Sequence, residues 1–478
     1  MRAGLSFRGV RPLGAVVLAL VLAACTPSPP PEPPNFVFVL IDTLRADHVG
    51  AYGYERDTTP FIDSLAKKGL VFEHTISQAP WTGSSMASLW TSRYPSEVGA
   101  GVQPDETGSR FLSKTGSTKL RRDVPTVAEQ LSGAGYKTIG IVANAYAGGF
   151  FGLLRGFEMH AQKRQDAAAV TDVAIEKLDS HLAKEPADPF FLYVHYIDAH
   201  EPTFPPEAHQ ARFPSVSGKP HEHAHAGWQF SKGEVGDDSA FQTFREHKID
   251  LYDASIHFVD AQVARLAQHL EAVGMRDSTV FIVASDHGEE FWDHTDFEKE
   301  THLDPRGIAG VGHGQSLFGE LTDVPLIVSG PGVPAGRVSE LVRNLDVAPT
   351  VLALAQAETT GLGLRGIDLV GAVKAGKVAP LDGFSESIAY GVEAKSLESG
   401  GWKLIRYSGT KTGRTDFLFD RRRDRGEHED RSSDSAKEAD RLVGALDATL
   451  AGLDTMRGEK TKLDADTRSQ LKAIGYIE

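Results

Sequence analysis

The residues of this sequence best suited to chemistry centre on Thr82, within Ala79-Pro80-Trp81-Thr82-Gly83-Ser84-Ser85-Met86-Ala87-Ser88-Leu89-Trp90-Thr91. Hydroxyls beside small residues at a helix start can aim an Oγ and backbone N–H groups at a bound anion, which makes Thr82 a candidate nucleophile. The same pattern also serves to cap a helix, through Thr82 or Ser84. Asp286 and His287, adjacent in Ser285-Asp286-His287-Gly288-Glu289-Glu290, offer one hard oxygen and one imidazole, a pair that fits a divalent cation. Asp42 follows a strongly apolar run and is either a ligand or the cap of the next helix. His195, Asp198 and His200 leave one strand end together in Val-His-Tyr-Ile-Asp-Ala-His-Glu-Pro, and such clustering of ionisable groups favours a functional site.

These side chains need strands to deliver them. Asn35–Ile41 is a continuous apolar run of the kind buried on both faces of a parallel sheet. Lys137–Val142, Phe190–Tyr196, Thr279–Ala284 and residues 324–328 read as further strands, with Asn144 at the exit of the second run. In doubly wound sheets ligands bind beyond the carboxyl ends of strands, where Asp42, Asn144, His195 and Asp286 all fall. Helices are expected at 61–68, stopped by Gly69, at 127–131 and at 346–357, with a short strand at 70–72. Residues 244–274 carry Ile249, Tyr252, Ile256, Val259, Val263 and Leu266 on one stripe, the mark of a long amphipathic helix. Residues 204–236 and 291–312 read as excursions over the site. His221, His223 and His225 alternate within the first of these, in a stretch read as a solvated loop. The second excursion leads to His313 in Gly312-His313-Gly314. After about Gly383 the texture changes to antiparallel strands at 402–407 and 417–420 and a helix at 436–453. The expected fold is therefore α/β, a large domain over 35–383 with a mostly parallel central sheet flanked by helices, plus a small C-terminal α+β domain over 384–478.

The chain carries 50 basic against 65 acidic residues, a net charge of −15, which argues against a nucleic-acid partner. Arg2, Arg8 and Arg11 precede an apolar run at 13–24 that is too short for a membrane span and has the proportions of a secretion signal. It ends Leu22-Ala23-Ala24-Cys25, which resembles a bacterial lipobox. Cleavage after residue 24 would leave Cys25 as the lipidated first residue of an exported lipoprotein of the cell envelope, anchored to a membrane. Cys25 is the sole cysteine, so no internal disulfide can form. Residues 25–34, rich in proline, suit a stiff extended tether.

Asp42 after the first strand, the Thr82 turn, Asp286-His287 after a late strand and the closing Phe417-Leu-Phe-Asp…Arg425-Gly-Glu together resemble the sulfatase family of the alkaline-phosphatase superfamily. Tyr52-Gly53-Tyr54, Thr59-Pro60-Phe61, Val324-Pro325-Leu326-Ile327-Val328, Trp402-Lys403-Leu404 and Leu471-Lys-Ala-Ile-Gly-Tyr476 extend the likeness from about residue 35 to the C-terminus. The resemblance implies one divalent metal ion, Ca, Mg, Mn or Zn, held by Asp42, Asp286, His287 and the Thr82 oxygen. It implies that His200 touches the substrate or helps the leaving group, with His313 at a second basic position. Asn144, His195 and Asp198, at the strand ends, are the further candidates for binding the substrate.

The sequence departs from the family in ways that bear on the reaction. Sulfate-ester cleavage in the family uses a formylglycine made within Cys/Ser-x-Pro-x-Arg, and here those positions are Thr82, Ser84 and Met86, so no formylglycine is expected. The family's Gly-Lys-Trp-His aligns with Val142-Ala143-Asn144-Ala145, removing a Lys and a His that bind sulfate. A Thr nucleophile beside an Asp-His metal pair resembles relatives that transfer or hydrolyse phosphoryl groups. The expectation is a metal-dependent hydrolase with phosphate mono- or diesters ahead of sulfate esters, possessing a small-molecule, glycan or lipid alcohol half. A phosphoryl transferase, a two-metal phosphodiesterase using Asp198, His200 and His313, and a non-catalytic binding lipoprotein are the alternatives.

Overall fold

Phe36 to Ile41 of the first strand are completely buried, each side chain contributing about 1.5–3 kcal/mol of transfer free energy for the larger apolar types. Burial on both faces is possible because this strand, β1 (Asn35–Ile41), lies inside a nine-stranded sheet. The computed structural model describes residues 33–478 apart from 103, 107–108, 113–115, 164, 214–237, 302–303, 411–412, 457, 461–462 and 474–478, together with residues 1 and 4. Contacts divide the chain into Met1–Pro33 and Pro34–Glu478. The leader, most of the tether, Cys25, His221, His223, His225 and Tyr476 fall outside the described residues. Among the described residues no helix is long and apolar enough to cross a membrane.

The sheet is built from β1, β2 (Leu70–Ile76), β3 (Lys137–Val142), β4 (Met159–Gln162), β5 (Phe190–Tyr196), β6 (Thr279–Ala284), β7 (Asp323–Ser329), β8 (Gly336–Val338) and β9 (Val342–Arg343). Their spatial order is β8-β2-β7-β6-β1-β5-β3-β4, with β9 also paired to β2. β1 runs parallel to both β5 and β6, with Leu40 opposite His195 on one side and Ala284 on the other. This register brings the ends of β1, β5 and β6 to one edge, so Asp42 and Asp286 emerge side by side. β7 alone runs antiparallel to its neighbours β2 and β6, which makes the sheet mostly parallel as expected.

Three boundaries moved. β2 continues past residue 72 through Glu73 and His74, polar residues that hide the strand from an apolar count. Glu73 pairs with Arg337, and His74 Nε2 lies 3.4 Å from a Glu398 carboxylate oxygen. The long helix spans Asp238–Ala272, opening earlier than its apolar stripe, and packs on Pro60–Lys68 and Ala167–Leu182. The third boundary is smaller: residues 346–357 form a helix only over Val347–Leu354.

A four-stranded antiparallel sheet follows, of β10 (Gly383–Ser385), β11 (Glu393–Ser399), β12 (Trp402–Thr410) and β13 (Gly413–Asp420). Leu442 and Leu446 of the helix Ala436–Ala451 close its apolar face against Leu397, Leu404 and Leu418. Beside it lies a buried ionic knot. The Lys403 ammonium donates to Glu427 Oε1 at 2.9 Å, the Arg421 guanidinium pairs with both Glu427 and Asp323, and Gly319 N–H donates to Glu427 Oε2 at 3.0 Å. Gly319 and Asp323 belong to the segment leading into β7, so this knot ties the small sheet to the large one.

Candidate active site

Thr82 is the first residue of the helix Thr82–Thr91, whose N-cap position is Trp81. Its Oγ1 instead reaches across to His287 Nε2 at 3.2 Å and accepts from Asn144 Nδ2 at 3.1 Å. Asn144 is oriented by its own backbone: Oδ1 accepts the Tyr146 N–H at 2.9 Å, which turns Nδ2 toward Thr82 and, at 2.6 Å, toward Asp42 Oδ2. The cap position itself is taken by Trp81, one residue earlier.

Asp42, Asp286 and His287 form, among the described residues, the group whose ligand atoms lie within 4.8 Å of one another and could hold a metal ion. His287 Nε2 is 3.7 Å from Asp42 Oδ1 and 3.4 Å from Asp286 Oδ2. All three residues are completely buried, and Asp42 Oδ1 and Asp286 Oδ2 have no hydrogen-bond partner. Two orphaned carboxylate oxygens pointing into one buried space carry a desolvation cost that a cation would remove. His287 Nδ1 lies 2.9 Å from Gly288 O, an acceptor, so it carries the proton and leaves Nε2 with a free lone pair toward the same space. Three oxygens counting Thr82 and one imidazole fit a divalent cation. The glycine of Asp-His-Gly is required by packing, since a Cβ on Gly288 would fall 1.9 Å from Glu320 O.

The electrostatics point the same way. Burial disfavours the Asp42 carboxylate, but the hydrogen bond from His195 and the nearby His200, His195 and His287 rings outweigh it and hold Asp42 below the usual carboxylate range. Asp286 is pushed up, first by burial and then by the charge of Asp42. One buried carboxylate thus suppresses the ionisation of the other, the conflict that a shared cation resolves.

The three ionisable groups that leave β5 go to different places. His195, at 0% exposure, stands behind Asp42: its Nε2 is 2.9 Å from Asp42 Oδ2 and its Nδ1 2.8 Å from the Tyr193 hydroxyl. Asp198 Oδ1 accepts the Ala167 N–H at 3.0 Å, at the start of the helix Ala167–Leu182. His200 approaches His313, ring centroids 4.8 Å apart, and the His313 ring lies 4.5 Å from that of His287. His313 Nδ1 is 3.2 Å from Glu289 Oε1, and burial, followed by the His287 and His200 rings, holds His313 well below its ordinary value. The structure therefore gathers Asp42, Thr82, Asn144, Asp286 and His287 at one point, with His195 behind Asp42 and His200 and His313 alongside. Tyr193 and Glu289, which orient His195 and His313, carry no role in the sequence reading. Tyr193 was detectable, because residues two apart on a strand share a face.

The positions that depart from the sulfatase pattern are also filled. Met86 is completely buried, and the Ser84 hydroxyl is 2.9 Å from that of Ser387, so no cation stands where the family has Arg.

The sulfatase family profile matches residues 34–357, about two thirds of the chain. The chain is 25% identical over 374 residues to the uncharacterized sulfatase YidJ of Escherichia coli, covering 68% of each protein. It is 23% identical over 376 residues to a Delta 4,5-hexuronate-2-O-sulfatase of Bacteroides thetaiotaomicron, covering 70% of this chain and 71% of that one. The fold is similar to that of a protein solved in complex with its substrate D-glucosamine-2-N,6-O-disulfate, at a TM-score of 0.70 and 17% identity over 88% of this chain and 98% of the other. It is likewise similar to a phosphonate monoester hydrolase from Silicibacter pomeroyi, at a TM-score of 0.62 and 20% identity over 87% and 94% of the two chains. With the family profile spanning two thirds of the chain and a mostly parallel sheet that matches its relatives' fold, the chain belongs to the sulfatase family of ester hydrolases.

Proposed function

We propose that this protein is a metal-dependent hydrolase of phosphate-type esters, mono- or diesters ahead of sulfate esters, that works in two steps through Thr82. The observation that carries the reading is the placement of Thr82 Oγ1 between Asn144 Nδ2 and His287 Nε2, at the same point as the orphaned oxygens of Asp42 and Asp286. Asp42, Asp286, His287 and Thr82 would hold the divalent ion, which when bound supplies Lewis acidity toward the hydroxyl and the ester's nonbridging oxygens.

The chain's own residues account for the rest. Asn144 fixes the Thr82 oxygen and Asp42 Oδ2 with one amide group, so nucleophile and ligand keep a constant separation. Tyr193 and His195 hold Asp42 from behind. In the first step Thr82 Oγ bonds to phosphorus as the ester oxygen departs with a proton, leaving a phosphothreonine; in the second, water breaks the Oγ–P bond and releases phosphate. His200 and His313, whose rings follow on from that of His287, are the groups assigned here to give or take the proton of the leaving oxygen, and Glu289 orients His313 for it.

A threonine cannot become the aldehyde hydrate on which sulfate release in the family depends, which is why phosphate esters are placed first. Substrate class is tested with the purified mature protein, metal added back, on an aryl phosphate, an aryl phosphodiester, an aryl phosphonate monoester and an aryl sulfate. Phospho-ester turnover well above sulfate turnover is expected. Turnover of the sulfate alone would overturn the reading, and stoichiometric metal with no turnover of any ester would leave the scaffold as a binding protein.

The same reading places the enzyme on a membrane through lipid on Cys25. Cys25→Ser is expected to shift the protein from the membrane fraction to the soluble envelope fraction with its specific activity intact. Retention of the variant in the membrane fraction would refute the anchor.

A further inference from the structure

Each peptide carbonyl of Ser285-Asp286-His287 is held by a side chain. Ser285 O accepts from Asn344 Nδ2 at 2.8 Å. His287 O accepts from Ser285 Oγ at 2.7 Å, and that oxygen in turn takes the Leu44 N–H at 2.9 Å. Asp286 O meets two hydroxyls, Ser85 Oγ at 2.6 Å and Ser77 Oγ, which also stands 2.9 Å from Ser85 Oγ. Ser77, Ser85, Ser285 and Asn344 are all completely buried.

Ser85 lies three residues beyond Thr82 on the same helix, and residues at that spacing share a face. That face reads two consecutive residues of the ligand loop: Thr82 Oγ1 meets the His287 ring and Ser85 Oγ meets the Asp286 carbonyl. Ser77, at the exit of β2, closes the contact from the other side. The Asp286 carboxylate hangs from the peptide these hydroxyls fix, so any rotation of that peptide swings the ligand away from Thr82.

We propose that Ser85, supported by Ser77, is a positioning residue for the reaction, registering the nucleophile helix against the ligand loop so that Thr82 Oγ1, Asp286 and His287 Nε2 converge on one cation. This rests on the metal and Thr82 reading given above. Groups that orient ligands from behind are worth ten- to a hundredfold in metal affinity or rate, and a misplacement of ~1 Å at a reacting centre costs ~10²-fold. Neither serine touches substrate or metal in this arrangement, so the effect is transmitted through the Asp286 peptide.

The test is an equilibrium titration of the apo protein with Mn²⁺, free ion being followed by its EPR signal, for the wild type, Ser85→Ala and Ser77→Ala. It is paired with kcat and KM on the best aryl ester and with the apo protein's melting temperature. Ser85→Ala is expected to raise the Mn²⁺ Kd about tenfold or more and to lower kcat with KM within about twofold. Ser77→Ala follows with a smaller rise, since Ser85 still donates to Asp286 O. A Mn²⁺ Kd within about twofold of wild type in both variants overturns the proposal, whatever happens to the melting temperature. Should Ser85→Ala not fold, Ser77→Ala and Ser85→Thr, which keeps the hydroxyl and should restore affinity, are judged by the same criterion. Failure of the wild type itself to bind Mn²⁺ would instead overturn the metal reading on which the proposal stands.

Discussion

Thr82→Ala is expected to lower kcat for phosphoester hydrolysis by roughly 10⁴-fold or more, the loss typical of removing the atom that forms the covalent intermediate. The protein should remain folded. The helix's N-cap position is Trp81 rather than Thr82, and the substitution removes one hydroxyl and one methyl from a helix whose other nine residues are unchanged. The methyl accounts for about 1 kcal/mol of burial, well below what a protein of this size needs to unfold. Thr82→Ser keeps the oxygen between Asn144 and His287 and should keep measurable turnover. Rapid-quench labelling with a phosphoester should place phosphate on the wild-type threonine and none on Thr82→Ala. Undiminished turnover in Thr82→Ala would mean that water attacks directly, and the two-step scheme would fall.

The second large effect is on stability. Glu427 is completely buried at a left-handed backbone position, φ 59°, and its carboxylate takes the Lys403 ammonium, the Arg421 guanidinium and the Gly319 N–H. Glu427→Gln keeps the shape and removes the charge, leaving Lys403 buried with the Thr322 hydroxyl, 3.3 Å away, and a neutral amide. Breaking one partner of a buried ion pair costs about 3–5 kcal/mol, because the surviving charge is left without compensation. Arg421 keeps Asp323, so Lys403 bears most of this cost. For a folded unit running from Pro34 to Glu478 that corresponds to a fall of about 3–5 °C in melting temperature. Calorimetry on the purified protein checks it, and Lys403→Met combined with Glu427→Gln should recover part of the loss. A melting temperature unchanged in Glu427→Gln would show that the knot contributes no stability.

How far the site could be read from the sequence depends on what each residue answers to. Asp42, Asn144 and Asp286-His287 were visible because each follows an apolar run, and parallel strands send all their carboxyl ends to one edge. Thr82 was visible as a hydroxyl at a helix start but undecided, since capping and catalysis use the same residue types there. In the structure Trp81 takes the cap position and the Thr82 oxygen meets His287 and Asn144, the contacts on which its proposed role rests. His195, Asp198 and His200 looked like one cluster on spacing alone. The chain leaves the sheet between them, and His195 turns to Asp42, Asp198 to the Ala167 N–H and His200 to His313. The hydroxyl clamp of Ser77 and Ser85 and the knot around Glu427 were invisible. The serines meet a carbonyl about 200 positions away, and the knot joins Arg421, at the end of the small sheet, to Asp323 of the large one. β11 was likewise missed, because Glu393-Ala-Lys-Ser-Leu-Glu-Ser pairs its charges with Arg110 and other buried partners rather than with water.

The placement of β1 also governs how this chain acquires its structure in time. Both neighbours of the first strand come late, with Phe36 opposite Phe191 and Val37 opposite Phe281. β5 begins about 150 residues after β1 and β6 about 90 residues later still, so the first strand waits for one partner and then, longer, for the other. Closing loops of that length carries an entropic cost that rises with the logarithm of their size, and such non-local pairing slows folding. Until β6 arrives Asp42 stands without Asp286 and His287, so the buried Asp/Asp/His group assembles only after more than half of the chain is in place. The interval has its own hazard, since an unpaired run of Phe, Val, Leu and Ile is a ready seed for aggregation.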